Sequence, residues 1–315
     1  MKKKVVFILG PTGSGKTALA VELAEKFNGE IISADSRQIF TGLDIGTGKD
    51  LDEYGNVKYH LIDICMPEQL YTLFDWLKGA RLVLDDIFSR GKLPIVVGGT
   101  GLYAKALREG FELIKSKIQI SNFKSNLKSK FQRSKLDKLP LTELVQIINE
   151  LKINTKNLDM KNPRRLIRAI EKAQEGIKTD KKKPDFESLI LAIDLPRKKL
   201  YERIDKRVDT RFEKQGMLEE VAGLLNSGVS EDWLSSLGLE YKYISKYLTQ
   251  NFQFSISNSS IFKTNEFKKM AQELKYKTHA YARRQLTWLR KQEGVIWVKG
   301  AKEAEKLVDE FIKVI

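Results

Sequence analysis

The chain has 315 residues, 42% of them hydrophobic, enough to bury a sizeable core in one large domain carrying a smaller insertion. Its single cysteine, Cys65, excludes an internal disulfide and a cysteine-based zinc site, and fits a reducing compartment. A net charge of +15 suits a polyanionic partner, because counterion release draws a basic surface to nucleic acid.

The first nine residues hold three lysines and only a five-residue apolar run, too short for a secretory signal or a membrane span, so a cytoplasmic location away from membranes is expected. That run, Val5 to Leu9, is apolar and β-branched, as a strand covered on both faces of a parallel sheet requires. It leads into Gly10, Pro11, Thr12, Gly13, Ser14, Gly15, Lys16 and Thr17, which match the phosphate-binding P-loop in its proper place between a strand and a helix. There the backbone amides form an anion nest, Lys16 reaches a terminal phosphate, and the Thr17 hydroxyl can ligate magnesium. Nucleoside triphosphates are the usual ligand of such a loop, and a diphosphate leaving group is held by the same physics.

Ala18 to Phe27 is rich in helix formers, Gly29 closes that helix, and a second apolar run, Ile31-Ile32, ends at Ala34-Asp35 to complete a βαβ unit. Asp35 therefore sits at the carboxyl edge of the sheet beside the P-loop crevice, as a base or as a Walker-B-type magnesium ligand. Asp63 and Asp194 follow apolar runs in the same way, and position alone does not choose among the three. Further strands are predicted at His60 to Ile64, Leu93 to Val97, Leu189 to Ile193 and Val295 to Val298, separated by helical segments such as Leu73 to Arg90. The predicted architecture is α/β, a doubly wound, mostly parallel sheet of P-loop type with an inserted helical subdomain.

After the strand ending at Val97 comes Gly98-Gly99-Thr100-Gly101-Leu102-Tyr103. A motor-type NTPase often has an acidic residue at this strand end. Here glycines let the backbone approach a ligand closely and Thr100 offers a short donor and acceptor, which suits a substrate-binding turn.

From about Phe111 to Asp185 the strand signals stop and amphipathic helical patterns take over, ending in Lys181-Lys182-Lys183 before Pro184. Residues 111–186 hold 19 Lys plus Arg against 9 Asp plus Glu, so they contribute +10 of the +15. The expected division is a catalytic core of residues 1–110 and 187–315 and a basic helical insertion of residues 111–186. Within the insertion, Asn162 is placed to cap a helix that Pro163 opens. Arg165 lies in its first turn, and Arg164, Arg168 and Lys172 share one face at i, i+4 and i+8 spacing. The polar stretch Asn251 to Ser260 looks like a surface loop. Tyr281 to Lys291 combines Arg283, Arg284, Arg290 and Lys291 with Tyr281 and Trp288, a mix suited to phosphate contacts and base stacking, while Leu286 and Leu289 belong to the core.

Five blocks in order, Gly10 to Thr17, Asp35-Ser36-Arg37-Gln38, Asp44-Ile45-Gly46-Thr47, Val97 to Tyr103 and Arg284 to Arg290, make the chain similar to the bacterial tRNA dimethylallyltransferase family over most of its length. The resemblance implies transfer of a dimethylallyl group from its diphosphate to the N6 amine of the adenosine at tRNA position 37, beside the anticodon. Magnesium is the implied cofactor, and the anticodon stem-loop is the implied partner of what is expected to be a monomer. It implies that Asp35 accepts the amine proton with Thr100 close to the same centre, and that Arg203 joins the P-loop in neutralising the diphosphate. It further implies tRNA contacts from Asp35, Ser36, Arg37, Gln38, Thr100, Asn162, Pro163, Arg164, Arg165, Arg168, Arg283 and Arg284, with Lys124 replacing a family arginine. Phe40, Gly48-Lys49-Asp50, Trp76, His279 and Gly238-Leu239-Glu240-Tyr241-Lys242 depart from the family pattern and leave the Asp35 and Thr100 assignments untouched. A small-molecule or nucleotide kinase, a transferase acting on free adenine nucleotides and a non-catalytic RNA-binding P-loop protein are the competing readings.

Overall fold

The computed structural model describes residues 2–99, 101–115, 136, 139–156, 158–175, 177–251 and 259–314. In chain order the elements begin β1 (Lys3–Leu9), α1 (Lys16–Lys26), β2 (Gly29–Ser33), β3 (Tyr59–His60), α2 (Leu73–Ser89), β4 (Leu93–Gly98) and α3 (Gly101–Arg108). There follow β5 (Phe111–Lys115), α4 (Leu141–Glu150), α5 (Pro163–Glu175), β6 (Ile177–Lys181) and β7 (Phe186–Ile193). The remainder is α6 (Arg197–Glu213), α7 (Met217–Asn226), α8 (Glu231–Leu237), α9 (Leu239–Asn251), α10 (Asn265–Leu289), β8 (Val295–Val298) and α11 (Ala301–Lys313). Two compact units result: Met1–Arg108 with Pro184–Ile315, and Glu109–Lys183.

The larger unit is built on a six-stranded sheet in the order β3-β2-β4-β1-β7-β8, with every pairing parallel. β1 lies inside it, and Val5, Val6 and Ile8 are fully buried, which explains why that run is apolar without alternation. The register sets Leu9 against Gly98 on β4, and Ser33 of β2 against Val97. The P-loop, the turn after β4 and the segment after β2 therefore leave the sheet side by side at its carboxyl edge, where open α/β sheets bind ligands. One apolar core packs the sheet against α1 and α11 through Leu23, Ile31, Ile95, Leu191 and Val308. A second lies among the helices that follow β7 and includes Leu218, Val221, Leu234, Tyr241, Ile244 and Leu274.

α2 starts in a reciprocal capping box between Thr72 and Asp75. It buries Trp76 completely, and the indole nitrogen donates to the Ser33 carbonyl at 2.9 Å. That bond fixes the chain just where β2 ends and the Asp35 segment begins.

The strand predicted over His60 to Ile64 is only Tyr59–His60. Leu61 and Asp63 adopt φ of 62° and 56°, a left-handed backbone that cannot continue a β ladder. The smaller unit also corrects an expectation, because it is not purely helical. β5 and β6 pair antiparallel, from Phe111 opposite Lys181 to Lys115 opposite Ile177. Its helices α4 and α5 share a small core of Leu144, Ile148, Leu166 and Ile170. Asn162 caps α5 as expected, accepting the Arg165 amide at 3.4 Å, with Pro163 as the first helical residue. Residues 252–258 of the polar stretch lie outside the described residues. Among the described residues, no helix is long and apolar enough to cross a membrane.

Candidate active site

The loop after β1 turns at Gly13 and Gly15, whose φ of 77° and 90° lie in the left-handed region that a side chain would strain. Thr12, Gly13, Gly15, Lys16 and Thr17 open onto a cavity of about 250 Å³, while Gly10, Pro11 and Ser14 are buried behind them. The opposite walls come from the other segments at the sheet edge: Asp35, Arg37 and Gln38 after β2, Thr47, Gly48 and Asp50 further on, and Gly98 and Gly99 after β4. α6 contributes Arg203 and Arg207, and α10 contributes Tyr281 and Gln285.

Four cations line this cavity: Lys16, Arg37, Arg203 and Arg207. Burial pulls the Lys16 ammonium down to about 8, with Arg207 adding to the effect and Asp35 and Asp50 opposing it. Arg207 is likewise pulled to about 10, first by burial and then by its neighbour Arg211. Its guanidinium is held by a hydrogen bond to the Thr12 hydroxyl, while the Glu240 and Asp50 carboxylates partly offset the downward pull. Arg203 donates to the Ser14 carbonyl at 3.2 Å. Concentrated, partly desolvated positive charge beside a nest of amides is the arrangement that binds a di- or triphosphate. Reading from the sequence singled out Arg203 and missed Arg207, although four residues on along α6 is the spacing that puts both on one face.

Asp35 is half-buried on the cavity wall, and its Oδ1 accepts the Arg37 amide at 2.9 Å. Burial works against the Arg37 charge, but Asp35 and Glu240 outweigh it and hold the guanidinium above its ordinary value. The other two carboxylates that sequence position left open do not line the cavity. Asp63 is ion-paired to Lys49, and Asp194 is exposed.

The wall from Asp44 to Asp50 is braced from below. The Glu220 carboxylate accepts the amides of Asp44, Ile45 and Gly46 at 2.8, 2.6 and 3.1 Å, and also the Tyr241 hydroxyl at 2.7 Å. Lys49 is fully buried, donating to the Phe40 carbonyl at 2.8 Å and to Asp44 at 2.6 Å besides Asp63. Gln38, expected to touch tRNA, uses its carboxamide within the chain: it accepts the Ser33 hydroxyl and donates to the Gly48 carbonyl, each at 2.8 Å. Ser36 is half-buried and does not line the cavity.

Across the cavity, α10 joins two loops. Gln285 accepts the Thr12 amide and donates to the Gly99 carbonyl. One turn on, the Trp288 ring fills the space that a side chain at Gly101 would need, 1.7 Å from an ideal Cβ. Arg283 and Arg284 are exposed and outside the cavity, the first donating to the Tyr201 hydroxyl at 3.2 Å and the second stacked over the Tyr281 ring at 5.7 Å. In the smaller unit, Arg165 and Arg168 are exposed on α5. Thr100 and Lys124 lie outside the described residues, as do the side chains of Arg164 and Lys172.

The chain matches two family models, "IPP transferase" over residues 38–292 and "Isopentenyl transferase" over residues 3–58. It is 39% identical over 305 residues to tRNA dimethylallyltransferase 2 of Shewanella sediminis, covering 94% of this chain and 93% of that one. To tRNA dimethylallyltransferase 2 of Treponema denticola it is 41% identical over 301 residues, covering 93% of each. Its fold matches that of the full-length tRNA isopentenylpyrophosphate transferase of Bacillus halodurans with a TM-score of 0.66 at 30% identity, over 99% of this chain and 96% of that one. The family match takes in the Asp35 side of the cavity, the arginines of α6 and Gln285 of α10, and on that ground the chain belongs to the IPP transferase family.

Proposed function

We propose that this chain transfers the dimethylallyl group of dimethylallyl diphosphate to the N6 amine of the adenosine at tRNA position 37. The N6–carbon bond forms at the allylic carbon, the bond from that carbon to the diphosphate oxygen breaks, and diphosphate leaves with the bonding pair. The N6 proton passes to the Asp35 carboxylate. The observation that carries this reading is that Asp35 and Lys16 line one cavity, so a base and a diphosphate cradle face the same small volume.

Each step has a physical demand that a named group meets. An adenine amine is a weak nucleophile, so Asp35 must remove its proton as the new bond forms. The leaving diphosphate gathers charge as it departs, and Lys16, Arg203, Arg207 and the P-loop amides, on the wall of the same cavity, would receive it. Magnesium fits the hard oxygen donors present, with the Thr17 hydroxyl to hold it and the Asp50 carboxylate in the same cavity, and when bound it would neutralise diphosphate charge. Among the described residues no group of three His, Cys, Asp or Glu side chains is set to hold a metal, so the diphosphate itself would supply further ligands.

The exposed cations of α5, together with Arg283 and Arg284, support binding of the anticodon stem-loop, and the net charge of +15 supports RNA as the partner. A monomer in the cytoplasm belongs to the same reading. The test is to incubate the protein with unmodified tRNA, free AMP or ATP, and dimethylallyl diphosphate, and to analyse nucleosides by mass spectrometry. Prenylated adenosine in tRNA alone is expected. Phosphoryl transfer without prenyl transfer would replace this reading with a kinase, and prenylated AMP would replace the substrate.

A further inference from the structure

We propose that Glu240 is a positioning residue for the reaction: it draws the Arg37 guanidinium aside, so that the Asp35 carboxylate stays open to the substrate amine. The proposal rests on the reading of Asp35 as the base.

Asp35 and Arg37 share one tight turn, closed by the Asp35 side chain, whose Oδ1 accepts the Arg37 amide at 2.9 Å and leaves the other oxygen for the substrate. An arginine two residues from an aspartate in a partly buried cavity has an obvious competing partner, the Asp35 carboxylate itself. It feels that charge more strongly than any other, ahead of Glu240, but makes no direct ion pair with it. Among the described residues no cation lies within ion-pair distance of Asp35, and the Arg37 guanidinium is 3.7 Å from Glu240 Oε2 instead.

Glu240 is equipped to hold it. The residue is 4% exposed at the start of α9, and its Oε1 accepts from Arg211, itself 2% exposed, at 3.1 Å. Its second oxygen makes no hydrogen bond and is left to attract Arg37. Arg37, Arg207 and Arg211 together bring three guanidiniums to this side of the cavity, and Glu240 lies within reach of two of them. Without it, Asp35, already the strongest charge acting on Arg37, is left as its main carboxylate partner. An ion pair there would hold the base in place of the substrate and make it a poorer proton acceptor.

A merely structural role for Glu240, as the partner of a buried Arg211, makes a different forecast, and a suppressor experiment separates the two. In single-turnover prenyl transfer to a saturating anticodon stem-loop RNA, Glu240→Gln is expected to slow the chemical step about tenfold or more. The KM for dimethylallyl diphosphate should stay within about twofold, because the cations facing the P-loop are untouched. With dimethylallyl diphosphate saturating as well, so that any binding contribution of Arg37 is covered, adding Arg37→Gln to Glu240→Gln should recover most of the lost rate, since the arginine released by the first change is removed by the second. No recovery in the double variant would overturn the proposal.

Glu240→Gln leaves the buried Arg211 without a counter-charge, so its thermal midpoint must be measured alongside. If it does not fold, the same comparison is made in an Arg211→Gln background, where a neutral pair replaces the buried ion pair. Recovery on adding Arg37→Gln is expected there too, and its absence there would equally overturn the proposal. Asp35→Asn in the same assay distinguishes the two failures. Full rate in Asp35→Asn removes the base reading, whereas a dead Asp35→Asn with no suppression removes only the role of Glu240.

Discussion

Gln285 donates its side-chain amide to the Gly99 carbonyl at 2.8 Å, and the other end of the same carboxamide accepts the Thr12 amide at 2.9 Å. One α10 side chain thus sets the spacing between the P-loop and the turn after β4. Gln285→Ala is expected to lower turnover about 10- to 100-fold, because small misplacement of reacting groups is costly. The stability loss from two hydrogen bonds should be only about 1–2 kcal/mol. Steady-state kinetics and urea unfolding on the same preparation check both.

Lys16 makes diphosphate binding depend on pH. Burial first, and Arg207 second, hold its ammonium at about 8, and the protonated form is the one that binds an anion. A bound diphosphate raises the proton affinity of Lys16, so binding takes up a proton near pH 8 and weakens as pH rises through that value. Lys16→Arg keeps its charge across the range. Calorimetric titration with inorganic pyrophosphate at pH 7 and pH 9 should show the wild type losing about tenfold in affinity relative to Lys16→Arg. Parallel affinities in the two proteins would contradict this.

Glu30 links fold stability to acid. It is 1% exposed and held by Arg90, with Lys92 at 2.9 Å and His60 at 2.8 Å. Hydrogen bonds, from Arg90 above all, hold its carboxyl below the ordinary range against the cost of burial. A carboxylate depressed in the folded state contributes stability above its unfolded value, about 4.3, and loses it as pH falls. Glu30→Gln should cost about 1–3 kcal/mol at pH 7, since Arg90 and Lys92 remain partly hydrated. Urea midpoints measured from pH 7 to pH 3 should fall less steeply for the variant.

For RNA binding, Arg284 is the cation to neutralise, because it is exposed beside Tyr281 and lies outside the cavity. Affinity for the anticodon stem-loop should fall linearly with the logarithm of salt, and Arg284→Gln should reduce that slope by about 1. Filter binding at several salt concentrations gives the slope. An unchanged slope would move the RNA surface elsewhere.

What the sequence made legible was local. The P-loop and Asp35 stand out because each directly follows an apolar run, so strand and site are contiguous. The sheet was visible for the same reason, except where backbone conformation decided the outcome, as at left-handed Leu61 and Asp63. The β5–β6 ribbon was hidden because one of its strands, Ile177–Lys181, is mostly charged. Arg207, Gln285 and Glu240 reach the cavity region from helices 170 or more residues beyond the P-loop, and only packing places them there. The full burial of Lys49 was equally unreadable, since a lysine between Gly48 and Asp50 looks like surface until Asp44, Asp63 and the Phe40 carbonyl close around it.

The central claim is that a base and a diphosphate cradle act across one cavity. Single-turnover prenyl transfer by Asp35→Ala, with RNA affinity measured on the same protein, tests it most directly. The expected result is a rate reduced by about 10²- to 10⁴-fold with affinity nearly intact. A rate close to that of the wild type would contradict it.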